Sequence, residues 1–203
     1  MIQPFKANSD QWPDLVSCGI FRKEIKLIIK QNNWPVNVRF LDSSLHIDLD
    51  KLSKKLTNAL SKLKKQNKLV VYGTCHPKMD DFLLNAKATR TCGQNCVELL
   101  LGKERFSSEL SKGAFFLFED WAKRWETISY DYIGNWDIMQ EIFQDAHKYI
   151  LCIRTPCSGN FETHADQVSN RVGLPLIWED FDLVQLEKIL KDSIYKLIEG
   201  KDV

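Results

Sequence analysis

Apolar residues recur along this chain with two distinct periods. Short continuous runs, Leu69-Val70-Val71-Tyr72 and Ala114-Phe115-Phe116-Leu117-Phe118, are bounded by polar residues and Gly. That is the form of a strand buried on both faces. Leu15 to Cys18, Val36 to Leu41, Lys87 to Arg90, Tyr149 to Ile153 and Leu174 to Trp178 read as further strands. Between them the apolar positions fall three and four apart, the period of a helix packed on one face. Phe21 to Gln31 carries Ile25, Ile28 and Ile29 on one side, with Asn32, Asn33 and Pro35 to stop it. A second stripe is Leu52, Leu56, Ala59, Leu60 and Leu63, with Asp48 or Asp50 as the cap. Asn95 caps a short helix, Val97 to Leu101, that Gly102 ends. Trp121 and Trp125 share a helix face as core aromatics, and Asp137 to Ala146, Glu162 to Val172 and Leu183 to Ile198 complete the set.

Strands alternating with amphipathic helices predict an α/β fold, a mainly parallel sheet with helices on both faces in a Rossmann-like three-layer arrangement. Residues 1–14, polar with two prolines, read as an N-terminal arm, and residues 15–203 as a single α/β domain. In such sheets a site forms beyond the carboxyl ends of the strands, where strand order reverses. Cys18 closes the first strand, Cys75 and His76 follow the third, and Cys92 and Cys96 follow the fourth. Cys157 follows the strand from Tyr149. If those strands are parallel, thiols scattered along the chain gather at one sheet edge.

Composition narrows the options. Apolar residues at 44% and charged residues at 27% are ordinary for a globular chain. A chain of this length buries about 70% of its unfolded surface and needs no disulfide staples. A net charge of +1 argues against a nucleic-acid partner. The lysines 54, 55, 62, 64 and 65 then read as a solvated helix face. No apolar run is long enough for a membrane span, and Met1 to Lys6 lacks a signal pattern, so a cytoplasmic protein with no membrane partner is expected. Six cysteines in a reducing compartment are free thiols, ligands or catalytic groups.

Their spacing excludes a zinc finger or ribbon, because Cys92 and Cys96 have no matching second pair. A discontinuous site fits better, with ligands from several loops. Cys75, Cys96 and His46 are the candidates for zinc, with Cys18 a fourth. Three ligands leave a position open for water or a substrate thiol, the pattern of a catalytic zinc. Cys96 also reads as a catalytic nucleophile, since a helix first turn lowers a thiol's pKa. Cys152, inside an apolar strand, reads as an inert core residue. Thr155, Ser158 and Gly159 lie in a loop before a helix that suits an anionic cofactor group.

The chain resembles domain-of-unknown-function family 1638, found in archaea and bacteria, from about Leu15 to its last helix. The resemblance rests on Cys18-Gly19 followed by Glu24-Ile25, on Leu45-His46 before Leu52, and on Tyr72-Gly73-x-Cys75. It continues through Asn95-Cys96-x-x-Leu99-Leu100-Leu101-Gly102, the aromatic run before Trp121, and Leu183-x-x-Leu186-Glu187. The chain departs from that pattern with His76 and Pro156 where glycines are expected. What the resemblance implies is an association with corrinoid-dependent methyltransferases and other one-carbon enzymes. The expectation is a metal-thiolate protein of corrinoid- or tetrahydrofolate-linked methyl transfer. Its partners would be a small-molecule methyl donor or acceptor and a corrinoid protein. The alternatives are a carrier of metal, haem or corrinoid, and a thiol redox protein that bridges Cys92 to Cys96.

Overall fold

The computed structural model describes residues 11–133 and 135–200. Residues 1–10 of the expected arm lie outside them. Its remainder is no arm: Trp12 and Pro13 are buried and Asp14 opens the first strand. The chain divides into two compact units, one formed by residues up to Leu99 and from Val184 on, the other by Leu100–Leu183.

The first unit holds β1 (Asp14–Cys18), α1 (Arg22–Asn32), β2 (Asn37–Leu41), α2 (Leu49–Ser61) and β3 (Lys68–Val71). They are followed by α3 (Met79–Ala86), β4 (Thr89–Arg90) and the start of α4 (Cys96–Leu101), and α9 (Val184–Ile198) returns to the unit. Its sheet has the order β2-β1-β3-β4, and every pair is parallel. Val16 stands opposite Arg39 on one side and Val70 on the other. Val16, Cys18, Val70 and Tyr72 face α2 and α3, packing on Leu52, Leu56, Leu60, Met79 and Leu83. Leu15, Ser17, Leu69 and Val71 alternate to the opposite face, and α9 packs on β3. A hydrogen bond of 2.9 Å from Asn32 Nδ2 to Glu187 Oε1 ties α1 to α9.

The second unit holds α5 (Lys103–Ser111), β5 (Ala114–Phe118), α6 (Glu119–Ile133), α7 (Trp136–Ala146), β6 (Tyr149–Arg154), α8 (Glu162–Val172) and β7 (Leu176–Asp180). Its strands run in the order β5-β6-β7, again parallel. Leu117, Ile150 and Cys152 pack with Ala122, Trp125, Met139, Ala165 and Val168. Phe106 of α5 meets Phe116 on the other face at 5.5 Å between centroids.

The α/β class, the parallel pairing and the helices on both faces are those expected. The expectation of one sheet is corrected: the strands form two sheets, of four and of three strands, each hydrogen-bonded within itself. Two helices escape the hydrophobic pattern. Residues 79–86 read as a polar interval, yet Met79 and Leu83, four apart, bury one side of α3. In α5 the buried positions are Phe106 and Glu109, and a carboxylate gives no apolar signal.

Glu109 is 4% exposed because its charge is answered. It pairs with Lys112 at 2.7 Å and Arg105 at 3.3 Å, and accepts from the Tyr149 hydroxyl at 2.6 Å. Those hydrogen bonds, Lys112 first and Tyr149 second, hold its carboxyl below its ordinary pKa of 4.5. Burial and Glu109 push the Tyr149 hydroxyl up to about 12. A depressed carboxyl stabilises the fold above its unfolded pKa, and that contribution is lost as pH falls through the folded value. The Glu109→Gln variant is therefore expected to lose about 1–3 kcal/mol at neutral pH. Its urea midpoint should also fall less than the wild type's below about pH 4.5. An unchanged midpoint at pH 7 would show that Glu109 contributes nothing.

Candidate functional site

Strand order reverses at β1, which has β2 on one side and β3 on the other. The chain leaving β1 and the chain leaving β3 therefore part and open a crevice between them. Both exits carry a glycine, and neither is replaceable. A Cβ on Gly19 would lie 2.5 Å from the Leu41 carbonyl oxygen. A Cβ on Gly73 would lie 2.2 Å from the Gln94 carbonyl oxygen and 2.5 Å from Asn95 Cα. Thr74 seals the second approach, its N–H donating to the Gln94 carbonyl at 2.8 Å and its hydroxyl at 3.1 Å. The loop after β3 is thereby stitched to the segment that begins α4. Asn95 caps that helix as expected, accepting from Glu98 N–H at 2.9 Å. Glu98 reaches back to Gln94 N–H at 3.2 Å.

This stitching brings Cys18, Tyr72, Cys75 and Cys96 into one cluster on the α2 face of the sheet. The Cys96 thiol lies well above its ordinary pKa. A hydrogen bond to Cys18 is the largest cause, followed by burial and by the Cys18 and Cys75 sulfurs. Cys75 is raised by burial and then by Cys18, while the Gly73 backbone and the Arg90 guanidinium pull it down. Tyr72, 2% exposed, is raised by burial and then by Cys18, Cys96 and Cys75 in turn. Its oxygen makes no hydrogen bond of acceptable geometry. Cys18 is its neighbour and contributes to the shift.

Of the expected ligands, then, Cys18, Cys75 and Cys96 come together. His46 sits in the 3-10 turn Ser43–Ile47 after β2, where burial lowers its pKa and the Ser43 backbone raises it. The reading of Cys96 as a thiolate activated by its helix is also corrected. The helix backbone does lower its pKa, but that pull is the smallest of its influences, and the proton stays on sulfur. Among the described residues no three His, Cys, Asp or Glu side chains stand ready-made to hold a metal ion. Sulfurs sharing a zinc lie roughly 3.5–4 Å apart as thiolates, so protonated, hydrogen-bonded thiols must lose protons and close up first. The chemistry of the set nonetheless fits a thiophilic cation, with soft donors from separate loops and an orphaned hydroxyl among them.

The other candidates have their own surroundings. Cys92 is exposed. His76 accepts from Lys78 N–H at 2.9 Å and packs on Phe82, which orders the turn into α3. Cys152 is fully buried in β6, with burial pushing its thiol up to about 12. Cys157, Thr155, Ser158 and Gly159 follow β6, in the second sheet. That loop does form a cradle, but it is filled from within. Thr155 N–H donates to Ser158 Oγ at 2.9 Å, and Gly159 N–H donates to the Glu119 carboxylate at 3.0 Å. Lys123 completes the charge balance at 2.6 Å from Glu119. Sequence reasoning missed Tyr72 and Arg90 as site residues. The one signal for Tyr72 is its place just before Gly73, at the end of an apolar strand.

A parallel α/β protein with a thiol-lined switch point is the class these features define. The chain belongs to the family described as "Protein of unknown function (DUF1638)", whose model matches residues 40–190. A solved structure, the Caulobacter myo-inositol binding protein bound to myo-inositol, is similar at 11% identity and a TM-score of 0.43, over 98% of this chain and 93% of that one. No curated protein matches the chain. Among the described residues no helix is long and apolar enough to cross a membrane.

Gly73 offers a direct test of the stitching. The Gly73→Ala variant is expected to melt several degrees lower, since backbone rather than a flexible side chain fills the space. It should also expose Cys75 and Cys96 to alkylation. Wild-type melting and alkylation rates would show that the loop does not depend on this approach.

Proposed function

We propose that the first unit carries a metal-thiolate site, with zinc held by Cys18, Cys75 and Cys96. The protein would then act in corrinoid- or folate-linked methyl transfer in the cytoplasm. The observation that carries the reading is the convergence of three cysteines from the exits of β1, β3 and β4 on one switch point. Nothing in core packing requires three thiols there, since aliphatic side chains fill such a volume without a polar atom. Three thiolates are a suitable donor set for zinc and leave its fourth position open. Bound there, the metal would supply a low pKa to a coordinated substrate thiol, the methyl acceptor. The chain's own residues have three tasks. They must give up the proton that now sits between Cys96 and Cys18, shield the sulfurs from water, and hold the substrate in line. The methyl-transfer half of the reading comes from the family resemblance, and a corrinoid protein is its natural partner.

The contact between Cys96 and Cys18 favours a second reading. A thiol redox protein would pair these two cysteines, not Cys92 with Cys96, because Cys92 faces solvent. Two thiols and a small-molecule disulfide would exchange to one protein disulfide and two small thiols, with the electron pair passing to the oxidant.

Elemental analysis of protein purified under reducing conditions separates these. One zinc per chain is expected, lost in Cys75→Ser and in Cys96→Ser but kept in Cys152→Ser. Methyl transfer from a methylated corrinoid or folate to a small thiol should be lost with the zinc. Protein without metal, in which oxidised glutathione forms a Cys18–Cys96 bridge, would replace this reading by the redox one. A coloured protein would point to a carrier.

A further inference from the structure

The cluster contains charge and hydrogen-bonding capacity that the thiols leave unused. Arg90, half-buried at the end of β4, donates from Nη1 to the carbonyl oxygens of Thr91 at 3.0 Å and Gly93 at 2.8 Å. Both acceptors are neutral, so they fix the guanidinium without balancing its charge. Among the described residues no carboxylate pairs with Arg90, and its Nε is buried without a partner. The Tyr72 hydroxyl is buried and unpartnered too. These two orphans are neighbours in the fold. Val70 stands opposite Arg90 across the β3–β4 pair, and Tyr72 lies two residues beyond Val70. Successive residues alternate faces, so Arg90 and Tyr72 leave the sheet on the same side. Cys75 packs against the same cluster that holds Tyr72 and Val70.

Buried donors without acceptors are rare and costly, and a partly buried charge with no counter-charge adds to the cost. A water satisfies the hydrogen bonds but leaves the charge. An oxyanion satisfies both, and a guanidinium is the side chain that grips one best. We propose that Arg90 and Tyr72 form an oxyanion subsite beside the Cys75 sulfur, and that the small molecule taken there carries a carboxylate. This deepens the preceding reading, on which it rests only for the fate of the molecule's thiol end. The substrate class is a short thiol acid, its sulfur towards the cysteines and its carboxylate on Arg90.

The test is calorimetric titration of the full chain with mercaptoacetate and, separately, with 2-mercaptoethanol, an uncharged thiol of similar size. Each is run on zinc-loaded and on chelator-treated protein. Mercaptoacetate is expected to bind both forms roughly tenfold or more tighter, the factor of one charge-assisted hydrogen bond. Arg90→Gln should erase that preference without changing the affinity for 2-mercaptoethanol. Arg90→Lys should keep part of it, retaining the charge but not the fork. Equal affinities in the wild type overturn the subsite, as does a preference that survives in Arg90→Gln, or no measurable binding of either probe. A preference in wild-type protein that takes up no zinc keeps the subsite and removes the metal. Zinc uptake without preference does the reverse. The comparison of probes on the wild type decides the matter even where Arg90→Gln fails to fold.

Discussion

β1 pairs with β2 over its whole length and with β3 from Asp14 to Ser17. A strand held so is fixed in direction, and its parallel neighbours must point their exits the same way. The chain returning from β2 therefore crosses one face of the sheet, while the chain leaving β3 continues on the other side of β1. The crevice this leaves is closed by backbone, not by side chains. Gly19 rests on the Leu41 carbonyl and Gly73 on the Gln94 carbonyl, at distances no Cβ tolerates. The candidate site inherits its precision from these two approaches, because Cys18 is one residue from the first and Cys75 two residues from the second.

The two units treat their strand exits differently, and the contrast bears on function. In the second unit the loop after β6 answers its own polar groups, with hydroxyls bonded inside the turn and the Gly159 donor capped by Glu119. Such a loop is complete without a ligand. In the first unit Tyr72, Arg90 and Thr91 each keep a buried polar atom without an acceptor or donor, at or just beyond the ends of β3 and β4. A fold tolerates such debts of roughly 1–3 kcal/mol apiece only when the rest of the structure holds the groups in place. Here the surrounding core does so, with Val16, Val70, Leu52, Leu56 and Leu60 fully buried beneath the cluster. The incomplete set is thus the one suited to receive something.

The proton on Cys96 sets the chemistry available at rest. Burial and neighbouring sulfurs raise the thiol pKa values, and the weaker pull the other way comes from backbone hydrogen bonds and, on Cys75, from Arg90. Thiols so held are poor nucleophiles until a cation or an exchange partner takes the proton.

Local sequence determined the strands, because continuous apolar runs between glycines and polar residues have few other uses, and it determined the caps, because Asn95 and Asp48 bond donors three residues on. It also determined that Cys18 closes a strand and that Cys75 and Cys157 follow one. Those are short-range matters, decided by period and by backbone valence. Which strand ends meet is not short-range. Tertiary structure divided the strands between two sheets, and so set Cys157 in a different sheet from Cys18. It set His46 in a 3-10 turn after β2. It turned the capping helix against Cys96, since burial beside Cys18 outweighs a few backbone dipoles. It made site residues of Tyr72 and Arg90, whose unmet hydrogen bonds exist only once water has been removed from around them. A sequence records which polar groups a chain has; only the packed structure decides which of them are left without a partner.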